Sequence, residues 1–249
     1  MEQFEREFEQ QLDALGRDSR QAARFVYMQA VVDYRAAEPE ILDRLNRHAA
    51  FWNGVLGALQ TSAFIALGRI FDDDKGTHNA DDLLRYAENY RGIFSAQALA
   101  VRKVKAGLSP EDAKKYAADR YELRAGGLGH LRAELATRQA LYRDKVAPIR
   151  HKVFAHAGKL NRDQRDALFT ALFKRSLEDL VVFTLRLERA LWQLYHNGIE
   201  PTLADAPSNI RDVVDALPAP GVTTWEHLHA AREAQAFLEW LRRGPLDED

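Results

Sequence analysis

The 249-residue chain contains no cysteine, which excludes a disulfide framework, a thiolate zinc site and a cysteine nucleophile. It fits a reducing compartment. A strong charge of either sign is also missing: the net charge of −2 gives no overall bias toward nucleic acid or membrane. No segment alternates apolar and polar residues between hairpin turns, and no internal repeat is visible. The opening "MEQFEREFEQ" is acidic and amphipathic, without the basic start and apolar run of a secretory signal, so a cytoplasmic protein is expected. Charge is absent over one long stretch, "AAFWNGVLGALQTSAFIALG" at 49–68. That is about the length of a membrane span, but Asn53, Gln60, Thr61, Ser62 and three glycines dilute it. A helix packed among other helices, with no membrane partner, is the expected reading.

Against these absences stand 46% hydrophobic and 29% charged residues, a balance that suits a folded globular chain with a sizeable core. Nearly every segment reads as helix. Pro39 can open a helix running to about Phe71. Asn79, with Asp82 three residues on, caps the next, and Gly107 ends it. Ser109-Pro110 opens another, which "AGGLG" at 125–129 interrupts before it resumes toward Arg143. Pro148 opens a short helix expected to stop at Gly158, and Asn161 caps a long one ending at Asn197-Gly198. Along that long helix Phe169, Phe173, Leu177, Leu180, Thr184, Leu187, Leu191 and Leu194 step by three and four, the spacing of a bundle seam. After Pro201 the chain reads as linker, and Thr223 with Glu226 forms a capping box for a final helix. The expected architecture is all-α: an N-terminal helical arm over 1–37, an antiparallel helical bundle over 38–200, and a linker with a C-terminal helix over 201–249. The glycines at 126, 127 and 129 follow no strand and lack the spacing of a nucleotide fingerprint, so they read as a helix break.

The chemistry gathers in "APIRHKVFAHAGKL" at 147–160. On a helical wheel Val146, Ile149, Val153 and Ala157 form one apolar stripe. Arg150 falls on one border, His156 on the other with Lys152 beside it, and His151 lies farther round on the arginine's side. Arg150 and His156 are about 9 Å apart along the axis and about 120° apart round it. If the stripe packs on a second copy, the arginine of one copy can meet the histidine of the other, because a two-fold interface is self-complementary. Between Arg143 and Arg175 nine Lys or Arg stand against three Asp. This local excess on an otherwise acidic chain points to a phosphate or polyanion site. Two imidazoles and a guanidinium match RNA cleavage: one base takes the 2′-hydroxyl proton, one acid protonates the leaving 5′-oxygen, and the cation meets charge growing on phosphorus. His151 and His156 project about 140° apart with no carboxylate within 146–157, which argues against a metal site. No cofactor is expected.

Arg150, five intervening residues and then His156, with His151 directly after the arginine, resembles the signature of the HEPN superfamily. That signature is an arginine, four to six residues and a histidine, commonly with Asn, Asp or His after the arginine. The helix ending "ALGRIFDDD" together with "IRHKVFAHAG" looks most like the abortive-infection branch, over roughly 38–197. The resemblance implies a homodimer with a composite site, metal-independent endoribonuclease activity, and a toxin–antitoxin or antiviral role with an antitoxin or regulatory partner. On it Arg150 and His156 are catalytic and His151 assists. Lys152, Lys159 and Arg162 are RNA-binding candidates, and Arg69 and Asp72, at the end of the long apolar helix, are further candidates for lining the cleft. The chain departs from the relatives controlled by nucleotidylation, which carry a tyrosine two residues after the histidine where this chain has Gly158.

Two other readings stay open. A HEPN-like chain without catalysis would bind RNA or protein and turn nothing over. A histidine phosphotransfer bundle would use His156 followed three residues later by Lys159, although Gly158 ends the helix too soon for a mid-helix histidine. Arg69 and Asp72, three apart, also suit a local ion pair. His227 and His229 diverge on the final helix, and Trp225, Phe237 and Trp240 read as its packing.

Overall fold

The computed structural model describes residues 2–72, 79–151, 174–203 and 226–243. The fold is all-α, and among the described residues there is no strand. The helices are α1 (Glu2–Arg35), α2 (Pro39–Arg47), α3 (Ala49–Phe71), α4 (Ala80–Asn89), α5 (Ala96–Lys105), α6 (Pro110–Ala118), α7 (Gly129–Leu141), α8 (Lys174–Asn197) and α9 (Glu226–Arg243). Several begin where the sequence places a cap. Asn79 accepts from the Asp82 amide at 2.9 Å and Ser109 from the Asp112 amide at 3.1 Å, satisfying N–H groups that a first turn leaves without partners.

The chain forms two compact units. The first comprises Met1–Ser19, Arg69–Tyr142 and Phe183–Ala206. Its core holds Phe8, Leu12, Ile70, Phe71, Leu84, Phe94, Leu131, Tyr142, Leu187, Leu191 and Tyr195, all essentially without solvent exposure. Phe8 meets Phe94 edge-on at 5.1 Å and Phe71 stacks on Tyr142 at 5.6 Å, geometries that suit the ring quadrupole. The Arg102 guanidinium lies 4.0 Å over the Tyr195 ring and donates to Glu5 at 2.6 Å, the Ile93 carbonyl at 2.7 Å and the Tyr195 carbonyl at 2.9 Å. One side chain thus ties α1, the Arg91–Phe94 turn and α8 together. Gly198, at φ +57°, takes the left-handed conformation that ends α8, and its carbonyl accepts from the Tyr121 amide at 2.9 Å.

The second unit comprises Arg20–Gly68, Arg143–Val182 and Pro207–Asp249. Val26, Val31, Ile41, Phe64, Leu67, Val146, Ile149, Leu180 and Val181 are among its buried residues. α9 packs on α2, and Arg35 bridges Glu38 and Glu239 at 2.7 Å each. α3 is long and apolar enough to cross a membrane by length and composition alone. Ala63, Phe64, Ala66, Leu67, Ile70 and Phe71 are buried in the protein, whereas its first half is half-exposed or exposed.

The seam expected on the long helix is present from Leu177 onward: Leu177, Leu180, Thr184, Leu187, Leu191 and Leu194 are all buried. Phe169, Phe173 and Asn161 lie outside the described residues, as does Thr223. Several boundaries differ from expectation; the helix opened at Ser109-Pro110 ends at Ala118, ahead of "AGGLG". The helix opened by Pro39 divides into α2 and α3 at His48, and the segment after Asn79 divides into α4, the turn at 91–94 and α5, with Ser95 capping α5.

Candidate active site

The helix that carries the arginine is not the short one expected from Pro148. α7 runs on without a break through a π turn, Tyr142–Val146, and a single α turn, Ala147–Ile149, to Arg150 and His151. A proline inside a helix lacks the N–H for the ladder, and its ring strikes the carbonyl four residues back. The π turn widens the backbone just ahead of Pro148, which lets the helix continue. Single π turns inside α-helices are frequent at functional sites.

Two neighbours fix where Arg150 stands. Val146 and Ile149 are both fully buried, so the stripe's first half belongs to the chain's own core and is not a face left open for a second copy. Val153 and Ala157 lie outside the described residues. The buried pair holds Arg150 on the border of the core, half-buried, with His151 exposed beside it, as the wheel requires. On its other side Arg150 meets α3. Its guanidinium lies where a side chain on Gly68 would begin: Cζ is 2.7 Å and Nε 3.0 Å from the position of a β-carbon there.

Arg69 and Asp72, in the first unit, make separate attachments. Arg69 pairs with Asp18 at 3.1 Å, so its charge is already partnered, with the side chain 54% exposed. Asp72 accepts a 2.9 Å hydrogen bond from the hydroxyl of Tyr142, at the start of the π turn. His156, Lys152, Lys159 and Arg162 lie outside the described residues. His229 on α9 is exposed and lies 3.0 Å from Glu233.

The glycine-rich segment that interrupts the sequence before α7 has a carboxylate of the chain's own on its amides. Glu88 accepts from Leu128 at 3.0 Å and Gly126 at 3.4 Å, and pairs with Arg91 at 3.6 Å. Amides that could have cradled a phosphate are thereby occupied, and the segment serves as a helix start. Sequence reasoning missed Gly68 and Glu88. A signal for Gly68 was present: a glycine inside "FIALGRIF" costs a helix about 1 kcal/mol against alanine, which calls for a compensating close approach.

A permanently charged, half-buried guanidinium with several directed donors suits a phosphoryl oxygen better than a solvated lysine does. Residues 4–216 of the chain match AbiU2, a HEPN-type family associated with abortive infection. The chain belongs to that family. The match takes in α1 and ends ahead of α9. No curated protein matches the chain, and no solved structure does.

Proposed function

On that family membership we propose that the protein is a metal-independent endoribonuclease, a toxin or antiviral abortive-infection effector acting in the cytoplasm. The observation that carries the reading is the placement of Arg150: half-buried at the edge of the core, beside exposed His151, in the stretch of sequence that resembles the HEPN signature. His156 and His151 supply the proton transfers. One imidazole accepts the 2′-hydroxyl proton as that oxygen attacks phosphorus. An imidazolium returns a proton to the 5′-oxygen as its bond to phosphorus breaks. The products are a 2′,3′-cyclic phosphate and a 5′-hydroxyl. Arg150 meets the charge that grows on the phosphoryl oxygens, and Lys152, Lys159 and Arg162 hold the flanking backbone. Two copies complete the site, the arginine of one facing the histidine of the other. An antitoxin or regulatory protein is the partner that restrains it.

Histidine acid–base catalysis typically supplies about 100- to 10,000-fold, so His156→Ala lowers RNA cleavage by at least about 100-fold with the helical circular dichroism unchanged. Arg150→Ala lowers it by about 100- to 1,000-fold through lost transition-state stabilisation. EDTA leaves the wild-type rate where it was. Full activity in either variant removes that residue from the mechanism, and loss of rate in EDTA removes the metal-free chemistry. RNA bound by the wild-type protein without turnover identifies a binding-only relative.

A further inference from the structure

Every one of the three heavy atoms nearest to a β-carbon built on Gly68 belongs to the Arg150 guanidinium, with Cζ at 2.7 Å and Nε at 3.0 Å. Real β-carbons do not approach other atoms below 3.0 Å, so the arginine holds this pose only with glycine at 68. Gly54 and Gly57 on the same helix have nothing within 4 Å of the corresponding point. The close approach is therefore particular to Gly68 and not a general property of α3. Glycine is a poorer helix former than alanine. Here the helix gives up some stability and gains bare backbone against which one guanidinium rests.

We infer that Gly68 is a positioning residue for Arg150. Val146 and Ile149 anchor the arginine's backbone from the buried side, and Gly68 sets where its charged end lies. A cation held in place before substrate arrives loses little freedom on binding and needs no rearrangement as charge develops. What the arginine does there rests on the ribonuclease reading above; the contact with Gly68 does not.

The atoms displaced by Gly68→Ala are the far end of a flexible side chain, so the fold accommodates the change. The variant should keep its helical circular dichroism and melt no lower than wild type, since alanine favours the helix. Misplacing a reacting group by about 1 Å can cost about 100-fold, so kcat should fall about 10- to 100-fold with KM changed by less than about threefold. Gly54→Ala and Gly57→Ala should retain the wild-type rate. Placed on Arg150→Ala, the substitution should cost nothing further, because the two residues act as one unit.

A readout independent of cleavage is modification of the native protein by phenylglyoxal, mapped by peptide mass spectrometry. Arg150 should label several-fold faster in Gly68→Ala than in wild type, with the other arginines unchanged. Equal labelling overturns the inference, as does a rate loss or a lowered melting temperature that persists in the Arg150→Ala background. A wild-type protein that cuts no RNA would sink the ribonuclease reading alone, and labelling would then decide the role of Gly68.

Discussion

A guanidinium keeps its proton at any pH the protein meets, so what distinguishes Arg150 from the basic residues around it is where it is held. Charge by itself made nine candidates between Arg143 and Arg175; Arg150 is set apart by lying half-buried with its guanidinium against Gly68 of α3. Asp72 changes meaning in the same way. The sequence suggests a cleft residue or half of an i,i+3 pair with Arg69, and the structure gives each carboxylate and cation a different partner: Tyr142 for Asp72, and Asp18 for Arg69. The Tyr142 ring is 1% exposed, so its hydroxyl depends on protein acceptors. Tyr142→Phe should lower stability by about 0.5–1.5 kcal/mol, the net worth of a typical intramolecular hydrogen bond. Urea denaturation checks this; an unchanged midpoint at equal slope would show that the bond contributes nothing.

At the scale of elements, period and caps were readable and backbone irregularity was not. The steps from Leu177 to Leu194 announce a buried seam, because residues three and four apart share a helix face, and all six described members are buried. Asn79 and Ser109 announce helix starts through side chains that accept amide hydrogens. The π turn has no such signature: Pro148 suggests a helix start, since its missing N–H is harmless there, whereas the backbone from Tyr142 to Ile149 carries the helix through it. The division at His48 is equally silent in the sequence, because the helical pattern runs on through both sides.

α8 carries a titratable group whose behaviour follows from its surroundings. Burial holds the His196 imidazolium below its ordinary value of 6.5, reinforced by Arg102 and Lys103 and opposed by Glu9 and Asp13. The unfolded chain therefore binds this proton at higher pH than the folded chain does. The contribution to stability is complete above the unfolded value and is lost as pH falls below it. Thermal melts taken between about pH 8 and 5, the range over which histidine titrates, should show a smaller loss of Tm on acidification in His196→Gln than in wild type. Parallel profiles would remove His196 as the source of the pH dependence.

For the whole molecule, the chain belongs to a HEPN-type family, and its sequence from Arg143 to Arg175 carries nine Lys or Arg against three Asp in a chain of net charge −2. α9, beyond the matched residues, is fastened to its own unit by Arg35–Glu239 and by Trp52 against Phe237 at 6.1 Å, an addition to the family's part of the chain. Because Val146 and Ile149 are spent on the internal core, the proposed homodimer would use other surfaces, and the composite site is best tested by function. Arg150→Ala and His156→Ala, each inactive alone, are mixed and allowed to exchange subunits, and RNA cleavage is measured. A site built from the arginine of one copy and the histidine of the other leaves each mixed dimer with one intact site, so random exchange restores about a quarter of the wild-type rate. A mixture no faster than its two components, beside an active wild-type protein and with exchange verified, would contradict the shared site.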